Sequence, residues 1–303
     1  MEKILAEIPV KWLHSSYLRN FGIDIAPYLP PRVDVIRLVQ NEETLISRFD
    51  PVIVGDGSFY QELARFDWYY RESKAEFETA RRLTQGRSIC EVGCGRGAFQ
   101  KVSMADAYVG IELNSQAVDE AKALGRNAVN RTVAEHLQAG HQGIYDVVCA
   151  FQVLEHAVDP DALVSEMCEL LHPGGTLIVS VPDDHSFVGH TPYDLLNMPP
   201  HHQTRWTTEA LTRLQARHDL RTIAIVSEQL DPIHLVPAKR VLFGCLLGSQ
   251  LRSCQDRIYP GRGRRFLFRF SRKLHRLAPL KRFDSFLLTA MRGHSITGVY
   301  ERH

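Results

Sequence analysis

Long apolar runs are missing from this sequence, and cysteine is scarce. No stretch of about 18 consecutive apolar residues occurs, so the sequence predicts no membrane-spanning helix. Residues 1–16 carry charges too closely spaced for the apolar centre of a signal peptide. The six cysteines form no CxxC pair and mostly lie in apolar runs, which argues against a zinc knuckle or a disulfide framework. We therefore expect a cytoplasmic protein with free thiols.

Acidic residues are also scarce, but only near the carboxyl terminus. Residues 239–303 contain 15 Lys or Arg and three acids, whereas residues 1–238 contain 21 basic and 32 acidic side chains. The net charge of +1 therefore hides an acidic body and a basic section of about +12. Such a division indicates an anionic partner or surface. The length of 303 residues suffices for one large domain with appendages.

Apolar strand patterns alternate with helical patterns from residue 88 onward. Before that point, residues 34–50 predict two short strands around a polar turn, and residues 57–83 predict two helices rich in aromatic side chains. The clearest later strand patterns are RSICEV, YVGIEL, YDVVCAFQ, GTLIVSVP, RTIAIVSE and SITGVYER. Because these strands are apolar almost throughout, the alternation predicts an α/β fold with a parallel sheet covered by helices on both faces.

Three glycines at alternate positions follow the first of these strands. Gly93, Gly95 and Gly97 leave the main chain bare at the first strand-to-helix turn, where a doubly wound sheet binds its ligand. Glu91 lies on the strand before them, and Glu112 ends the next strand, where a carboxylate can accept both hydroxyls of a ribose. The spacing ExGxGxG differs from the dinucleotide fingerprint GxGxxG.

The chain resembles class I S-adenosylmethionine-dependent methyltransferases over residues 87–227. The stretches that carry the resemblance are EVGCGRG, GIEL, YDVVCAFQVLEH and LLHPGGTLIVSVP. VLEH combined with LHPGG and VP is most similar to the branch that contains ubiquinone-type O-methyltransferases and enzymes of cell-surface glycan and secondary-metabolite clusters. The resemblance implies S-adenosyl-L-methionine as cofactor and an acceptor with a hydroxyl group. This acceptor could be a glycan, a lipid-linked intermediate or a small metabolite, and it could be anionic.

The resemblance also implies a set of cofactor-binding residues. Glu91 and the three glycines would border the methionine and ribose part, and Glu112 would bind the ribose hydroxyls. The remaining implied contacts are Leu113 packing on the adenine, Ala134 and Glu135 flanking its edge, and Phe151 and Gln152 lining the sulfonium side.

A fold and domain division follow from the same resemblance. The expected fold is a Rossmann-like, doubly wound seven-stranded sheet with an antiparallel last strand, an N-terminal extension and a helical insert before the last strand. The expected domains are residues 1–57, an extension with a β-hairpin; residues 58–227 with 295–303, the catalytic domain; and residues 228–294, a basic helical insert.

Histidines supply the candidate general base. Attack by a hydroxyl on an electrophilic methyl group requires removal of a proton, and histidine has a suitable pKa for this near neutrality. His156 follows the fourth strand, and His201 and His202 follow the fifth, so both loops leave the carboxyl edge of the sheet. A structural role as a capping or hydrogen-bonded histidine is the alternative for each.

Two other functions compete for these residues. Small-RNA 2′-O-methyltransferases resemble the chain at Glu155, His156 and His201 or His202, which could hold a divalent ion. Gln152 stands where that family has a second carboxylate, so we expect no metal site. A non-catalytic cofactor-binding assembly factor is the other alternative.

About 65 residues separate RTIAIVSE from SITGVYER. Within them, residues 262–282 predict a helix whose apolar stripe packs as a lid, or lies at a membrane surface or grips an anionic substrate. The stripe consists of Phe266, Phe270, Leu274 and Leu277, with Arg265, Arg269, Arg272 and Arg276 beside it. No stacking-aromatic RNA motif accompanies these charges, so a nucleic acid is not the expected partner.

Overall fold

The structure is a computed structural model that describes residues 1–66, 68–191, 193–246, 254–259 and 281–303, with the side chains of all of these except 243–246 and 281–283. These residues form two compact units. Unit 1 comprises Met1–Val54, Pro182–Thr208 and Ser227–Ser295. Unit 2 comprises Gly55–Val181, Glu209–Val226 and Ile296–His303. The domain boundaries expected from the sequence stay a prediction.

Strands and helices alternate through most of the described chain. The strands are β1 (Glu2–Pro9), β2 (Val35–Asn41), β3 (Ser47–Asp50), β4 (Ser88–Val92), β5 (Ala107–Glu112), β6 (Ala128–Asn130), β7 (Tyr145–Phe151), β8 (Leu171–Pro182), β9 (Thr204–Arg205), β10 (Leu220–Gln229) and β11 (Arg292–Arg302). The helices are α1 (Val10–Phe21), α2 (Gly57–Ala64), α3 (Ala75–Arg81), α4 (Ala98–Val102), α5 (Ser115–Ala123), α6 (Val133–Gln138), α7 (Pro160–Leu170), α8 (Thr208–Thr212), α9 (Leu235–Leu246), α10 (Cys254–Ile258) and α11 (Lys281–Ala290).

Unit 2 carries the seven-stranded sheet, with strand order β10-β11-β8-β7-β4-β5-β6. The pairs β4–β5, β4–β7, β5–β6 and β7–β8 are parallel, and the last strands are antiparallel. The predicted Rossmann-like fold is therefore confirmed. Because β4, β5 and β7 are adjacent and parallel, the loops that follow them leave from the same edge of the sheet.

Three phenylalanines fix the helices beside this edge. Phe77 of α3, Phe99 of α4 and Phe151 at the end of β7 pack together, with ring centroids 4.8–5.2 Å apart. All three are buried in one apolar cluster. Buried aromatic rings supply much of the packing energy of a core, so their contacts hold α4, and with it the turn after β4, in place.

Unit 1 contains a four-stranded sheet with order β1-β2-β3-β9. β2 and β3 form the antiparallel hairpin predicted from residues 34–50. β1 and α1 were not predicted. At the edge of the sheet, the side-chain amide of Gln255 pairs with β1: it accepts a hydrogen bond from the Glu7 N–H at 2.6 Å and donates one to the Glu7 carbonyl at 3.0 Å.

The described part of the insert is helical, as expected. Phe187 and Val188 lie in one buried apolar cluster with side chains of α9 and α11. An ion pair between Lys239 and Asp284 also joins these two helices. The predicted helix at residues 262–282, with its apolar stripe and the arginines beside it, lies outside the described residues, apart from the start of α11. No helix within the described ranges is both long enough and apolar enough to cross a membrane.

Candidate functional site

The turn between β4 and α4 has the bare main chain expected from its glycines. Gly93, Gly95 and Gly97 have φ values of +68°, +54° and +69°, a left-handed region that favours glycine. A Cβ on Gly93 would lie 2.5 Å from Cγ2 of Val153, and one on Gly95 would lie 3.0 Å from the ring of Tyr70. Conformation and space therefore both require glycine at the first two positions.

Glu112 is fixed directly beside this turn. Its carboxylate accepts hydrogen bonds from the main-chain N–H of Gly95 at 2.9 Å and from that of Asn114 at 2.8 Å, one on each oxygen. A carboxylate oxygen has two lone pairs, so each oxygen of Glu112 can accept a second hydrogen bond. The next residue, Leu113, is 70% exposed and offers an apolar surface at the same edge.

Glu91 lies inside the unit, with only 3% of its surface exposed. The hydroxyl of Tyr108 donates a hydrogen bond to its carboxylate. Burial raises the pKa of Glu91 to about 8, although the Tyr108 hydrogen bond and the charge of Lys74 act in the opposite direction. Near neutral pH this carboxyl therefore holds a proton for much of the time.

The residues expected at the adenine edge begin α6. The carboxylate of Glu135 accepts a hydrogen bond from the Thr132 N–H at 2.7 Å, and the Thr132 hydroxyl accepts one from the Glu135 N–H at 3.1 Å. This capping box lowers the pKa of Glu135 and gives its side chain a structural role. Ala134 is half-buried beside it. Their cofactor contacts stay a prediction.

Phe151 and Gln152, at the end of β7, lie in different surroundings. The Phe151 ring is buried among core aromatic rings. Gln152 has a φ of +62°, unusual for a residue with a side chain, and its N–H donates to the Ser180 carbonyl at 2.8 Å. Its side-chain amide donates to Glu76 at 3.3 Å. Backbone strain of this kind is common at functional sites, but the sulfonium-side contacts of both residues stay a prediction.

His156 lies on a short 3₁₀ turn, Leu154–His156, in unit 2. Its Nδ1 is 3.4 Å from the hydroxyl of Tyr60, and its Nε2 is 4.0 Å from a carboxylate oxygen of Glu155. Glu155 is 1% exposed, so its carboxyl lies inside the unit. Burial raises the pKa of Glu155 to about 8.

His201 and His202 lie in unit 1. Both are buried, and their rings stack with centroids 4.5 Å apart. Nδ1 of His201 is 2.8 Å from the Leu196 carbonyl, which can only accept, so this nitrogen carries the proton. Nδ1 of His202 is 3.1 Å from the side-chain oxygen of Asn197. The catalytic roles of both histidines stay a prediction, as does the expectation that no metal site is formed.

Sequence reasoning missed the tyrosines of unit 2. Tyr60 on α2 contacts His156, and Tyr70 contacts the glycine turn. The half-buried Tyr69 packs edge-on against the ring of Tyr70, with centroids 4.9 Å apart, and burial followed by its charged and tyrosine neighbours raises its pKa. The run WYY at residues 68–70 could have indicated this contact, because adjacent aromatic rings are stabilised by packing on an apolar surface.

In comparison with known proteins, a family described as a methyltransferase domain matches residues 60–225. Curated relatives include the ubiquinone biosynthesis O-methyltransferase of Pectobacterium carotovorum, 27% identical over 148 residues that cover 40% of this chain and 61% of the relative. The enzyme of the same name from Escherichia fergusonii is 35% identical over 104 residues, which cover 31% of this chain and 42% of that relative. The chain thus spans less than two thirds of these relatives.

The solved structures include a SAM-dependent methyltransferase from Thermotoga maritima that is similar in fold. It superposes with a TM-score of 0.51 and 17% identity, covering 82% of this chain and 98% of that one. At this identity the similarity supports the seven-stranded fold alone.

Proposed function

The chain belongs to the methyltransferase-domain family, and on this premise we propose that it is an O-methyltransferase that uses S-adenosyl-L-methionine. One observation carries the proposal: the Glu112 carboxylate is fixed by two main-chain N–H groups at the end of β5, beside a turn of left-handed glycines. A ligand with two adjacent hydroxyls can bind there while its remainder lies along the bare main chain.

The residues of unit 2 fit this cofactor. Each oxygen of Glu112 can accept one ribose hydroxyl in addition to its main-chain donor. The exposed side chain of Leu113 can pack on the adenine, and the absence of side chains on Gly93 and Gly95 allows close approach. When bound, the cofactor supplies an electrophilic methyl group on a sulfonium, whose carbon–sulfur bond breaks as the acceptor oxygen attacks.

His156 is the proposed general base. Its ring accepts the proton that the acceptor hydroxyl loses as the new oxygen–carbon bond forms. The Tyr60 hydroxyl, 3.4 Å from Nδ1, orients the ring. The nearby carboxyl group of Glu155 stabilises the imidazolium when Glu155 is ionised. His201 and His202 are proposed to contact the acceptor.

The acceptor is proposed to be a hydroxyl on a glycan, a lipid-linked intermediate or a small metabolite. The relatives named as ubiquinone biosynthesis O-methyltransferases support O-methylation. The excess of 12 positive charges in residues 239–303 supports an anionic acceptor or a peripheral contact with an anionic membrane through residues 262–282.

Two measurements test the proposal. The first is calorimetric binding of S-adenosylhomocysteine to the parent protein and to Glu112→Gln. We expect the variant to bind about 10-fold or more weakly, because an amide has only one acceptor oxygen for two main-chain donors and two hydroxyls. Glu169→Gln, at an exposed glutamate of α7, is the matched control. Failure of the parent protein to bind would contradict the proposal.

The second measurement identifies the acceptor. The protein is incubated with cofactor labelled in its methyl group and with fractionated cell extract. Label in lipid-soluble, glycan or small-metabolite fractions supports the proposal, and label in small RNA supports the metal-dependent alternative. Cofactor binding without label in any fraction supports the non-catalytic assembly factor.

A further inference from the structure

Residues 68–72, which we call the strap, connect α2 to α3 in unit 2 and contact the glycine turn at two places. The first contact is made by Tyr70. Its ring lies so close to the Gly95 main chain that a Cβ there would be 3.0 Å from Cε1. The guanidinium of Arg96 lies over the same ring, 5.0 Å from its centroid. The Tyr70 hydroxyl accepts a hydrogen bond from the side-chain amide of Asn114 at 3.2 Å.

The second contact is an ion pair at the other end of the strap. Glu72 receives two hydrogen bonds from Arg126, at 2.7 and 3.1 Å, and the Arg126 side chain is only 11% exposed. Arg126 also donates to the Arg96 carbonyl at 2.7 Å, and its stem lies 3.2 Å from the place of a Cβ on Gly97. Half of the Glu72 side chain is exposed, but the bidentate contact and the buried guanidinium make this pair more constrained than an ordinary surface ion pair.

The first contact, made by Tyr70, involves two residues that also position Glu112. Gly95 donates its N–H to Glu112, and Asn114 donates its own N–H to Glu112 while its side chain binds Tyr70. The Tyr70 ring therefore lies beside the main chain that a ligand bound to Glu112 would approach. Burial, followed by the charge of Glu112, raises the pKa of Tyr70 to about 12, in accord with this proximity.

We propose that Tyr70 forms the outer wall of the cofactor cleft and that the Glu72–Arg126 ion pair positions it. This inference rests on the proposed function, because it assigns a contact to the same cofactor. The Tyr70 ring supplies apolar surface to the bound molecule and covers it from solvent. The ion pair contacts no cofactor; it acts by holding the strap against the glycine turn.

Binding of S-adenosylhomocysteine to matched variants tests the inference. Tyr70→Ala removes the wall, and we expect affinity to fall about 10-fold or more. Tyr70→Phe keeps the ring and loses only the bond to Asn114, so a loss of about 2- to 5-fold is expected. Glu72→Gln should raise the dissociation rate about 3- to 10-fold. Glu62→Gln, which removes the exposed pair between Glu62 of α2 and Arg65 just after that helix, should change neither quantity.

Trypsin cleavage after Arg71 is a second measurement, because Arg71 lies within the strap. S-adenosylhomocysteine should slow this cleavage in the parent protein, and Glu72→Gln should accelerate it without ligand. Thermal unfolding shows whether each variant is folded. Should Tyr70→Ala not fold, Tyr70→Phe and Glu72→Gln decide: parent-like affinity and dissociation rate in both would overturn the inference.

The outcomes separate this inference from the proposed function. A parent protein that does not bind S-adenosylhomocysteine contradicts the proposed function and the inference with it. Normal binding by the parent together with equal binding by folded Tyr70→Ala contradicts the inference alone. Tighter binding by Tyr70→Ala would also overturn it, because Tyr70 would then occupy the place of the cofactor.

Discussion

Val153 packs directly on the main chain of Gly93: a Cβ on this glycine would lie 2.5 Å from Cγ2 of the valine. The contact joins the turn after β4, which carries the proposed cofactor site, to the loop after β7, which carries His156. Real Cβ atoms do not approach a neighbour so closely, so any side chain at Gly93 must displace the valine and the loop that follows it.

Gly93→Ala should therefore impair both cofactor binding and turnover. We expect affinity for S-adenosylhomocysteine to fall about 10-fold and methyl transfer to fall further, because small displacements of a catalytic group reduce the rate strongly. Gly86→Ala is the matched control: its φ is +68°, the same as that of Gly93, yet apart from its chain neighbours no atom of the described residues lies within 4 Å of its Cβ position. Equal effects of the two substitutions would show that the contact with Val153 is irrelevant.

His156→Ala distinguishes a general base from a metal ligand. As a base, its loss should lower turnover by about 100-fold or more with cofactor affinity nearly unchanged, and EDTA should have no effect on the parent. Methyl transfer from labelled cofactor is the measurement. His303→Ala, an exposed histidine in the same unit, is the control. Activity lost with EDTA and restored by magnesium or manganese would assign the histidine to a metal site instead.

Glu91 should make stability depend on pH. Its pKa rises from an ordinary value of 4.5 to about 8 on folding, so the folded state binds the proton more tightly than the unfolded state. This contribution is fully present below about pH 4.5 and is lost as pH rises through 8, by at most about 1.4 kcal/mol per pH unit.

Glu91→Gln, which cannot ionise, should remove this contribution. Urea unfolding at pH 5 and pH 8 should show a larger fall in the free energy of unfolding for the parent than for the variant. An equal fall in the free energy of unfolding from pH 5 to pH 8 in the two proteins would mean that the pKa of Glu91 does not change on folding.

The predicted basic helix at residues 262–282 should bind anionic membranes if the protein makes the proposed peripheral membrane contact. Co-sedimentation with neutral and anionic vesicles is the measurement, at low salt and at salt that shortens the Debye length below about 8 Å. We expect salt-sensitive binding to anionic vesicles. Changing Arg265, Arg269, Arg272 and Arg276 together to Gln should abolish it. A parent protein that ignores anionic vesicles at low salt would leave the lid as the better interpretation.

The sequence predicted those features whose cause is local. Six strands of the seven-stranded sheet were predictable because they are apolar runs, whereas the number seven came from the family resemblance. The turn at Gly93 and Gly95 was predictable because only glycine adopts its conformation readily. The hairpin of β2 and β3 was predictable because its polar turn separates two apolar segments.

Features that depend on distant partners were not predictable. β1 carries charges at Glu2, Lys3 and Glu7, and its pairing with β2 across α1 leaves no local signal. Tyr70 contacts Gly95 and Asn114, which lie 25 and 44 residues away along the chain. The capping role of Glu135 is different, because its partner Thr132 is only three residues away: the sequence TVAE carried a capping-box signal that was missed.

Gln255 changes what the edge of the unit 1 sheet can do. An edge strand with unpaired N–H and C=O groups is a template on which a strand of another molecule can add. At Glu7 both groups are already bonded to a side-chain amide, which has the same donor and acceptor as a peptide group. A second chain can extend β1 at this point only by first displacing Gln255, so one glutamine far along the sequence protects the amino-terminal strand from edge-to-edge aggregation.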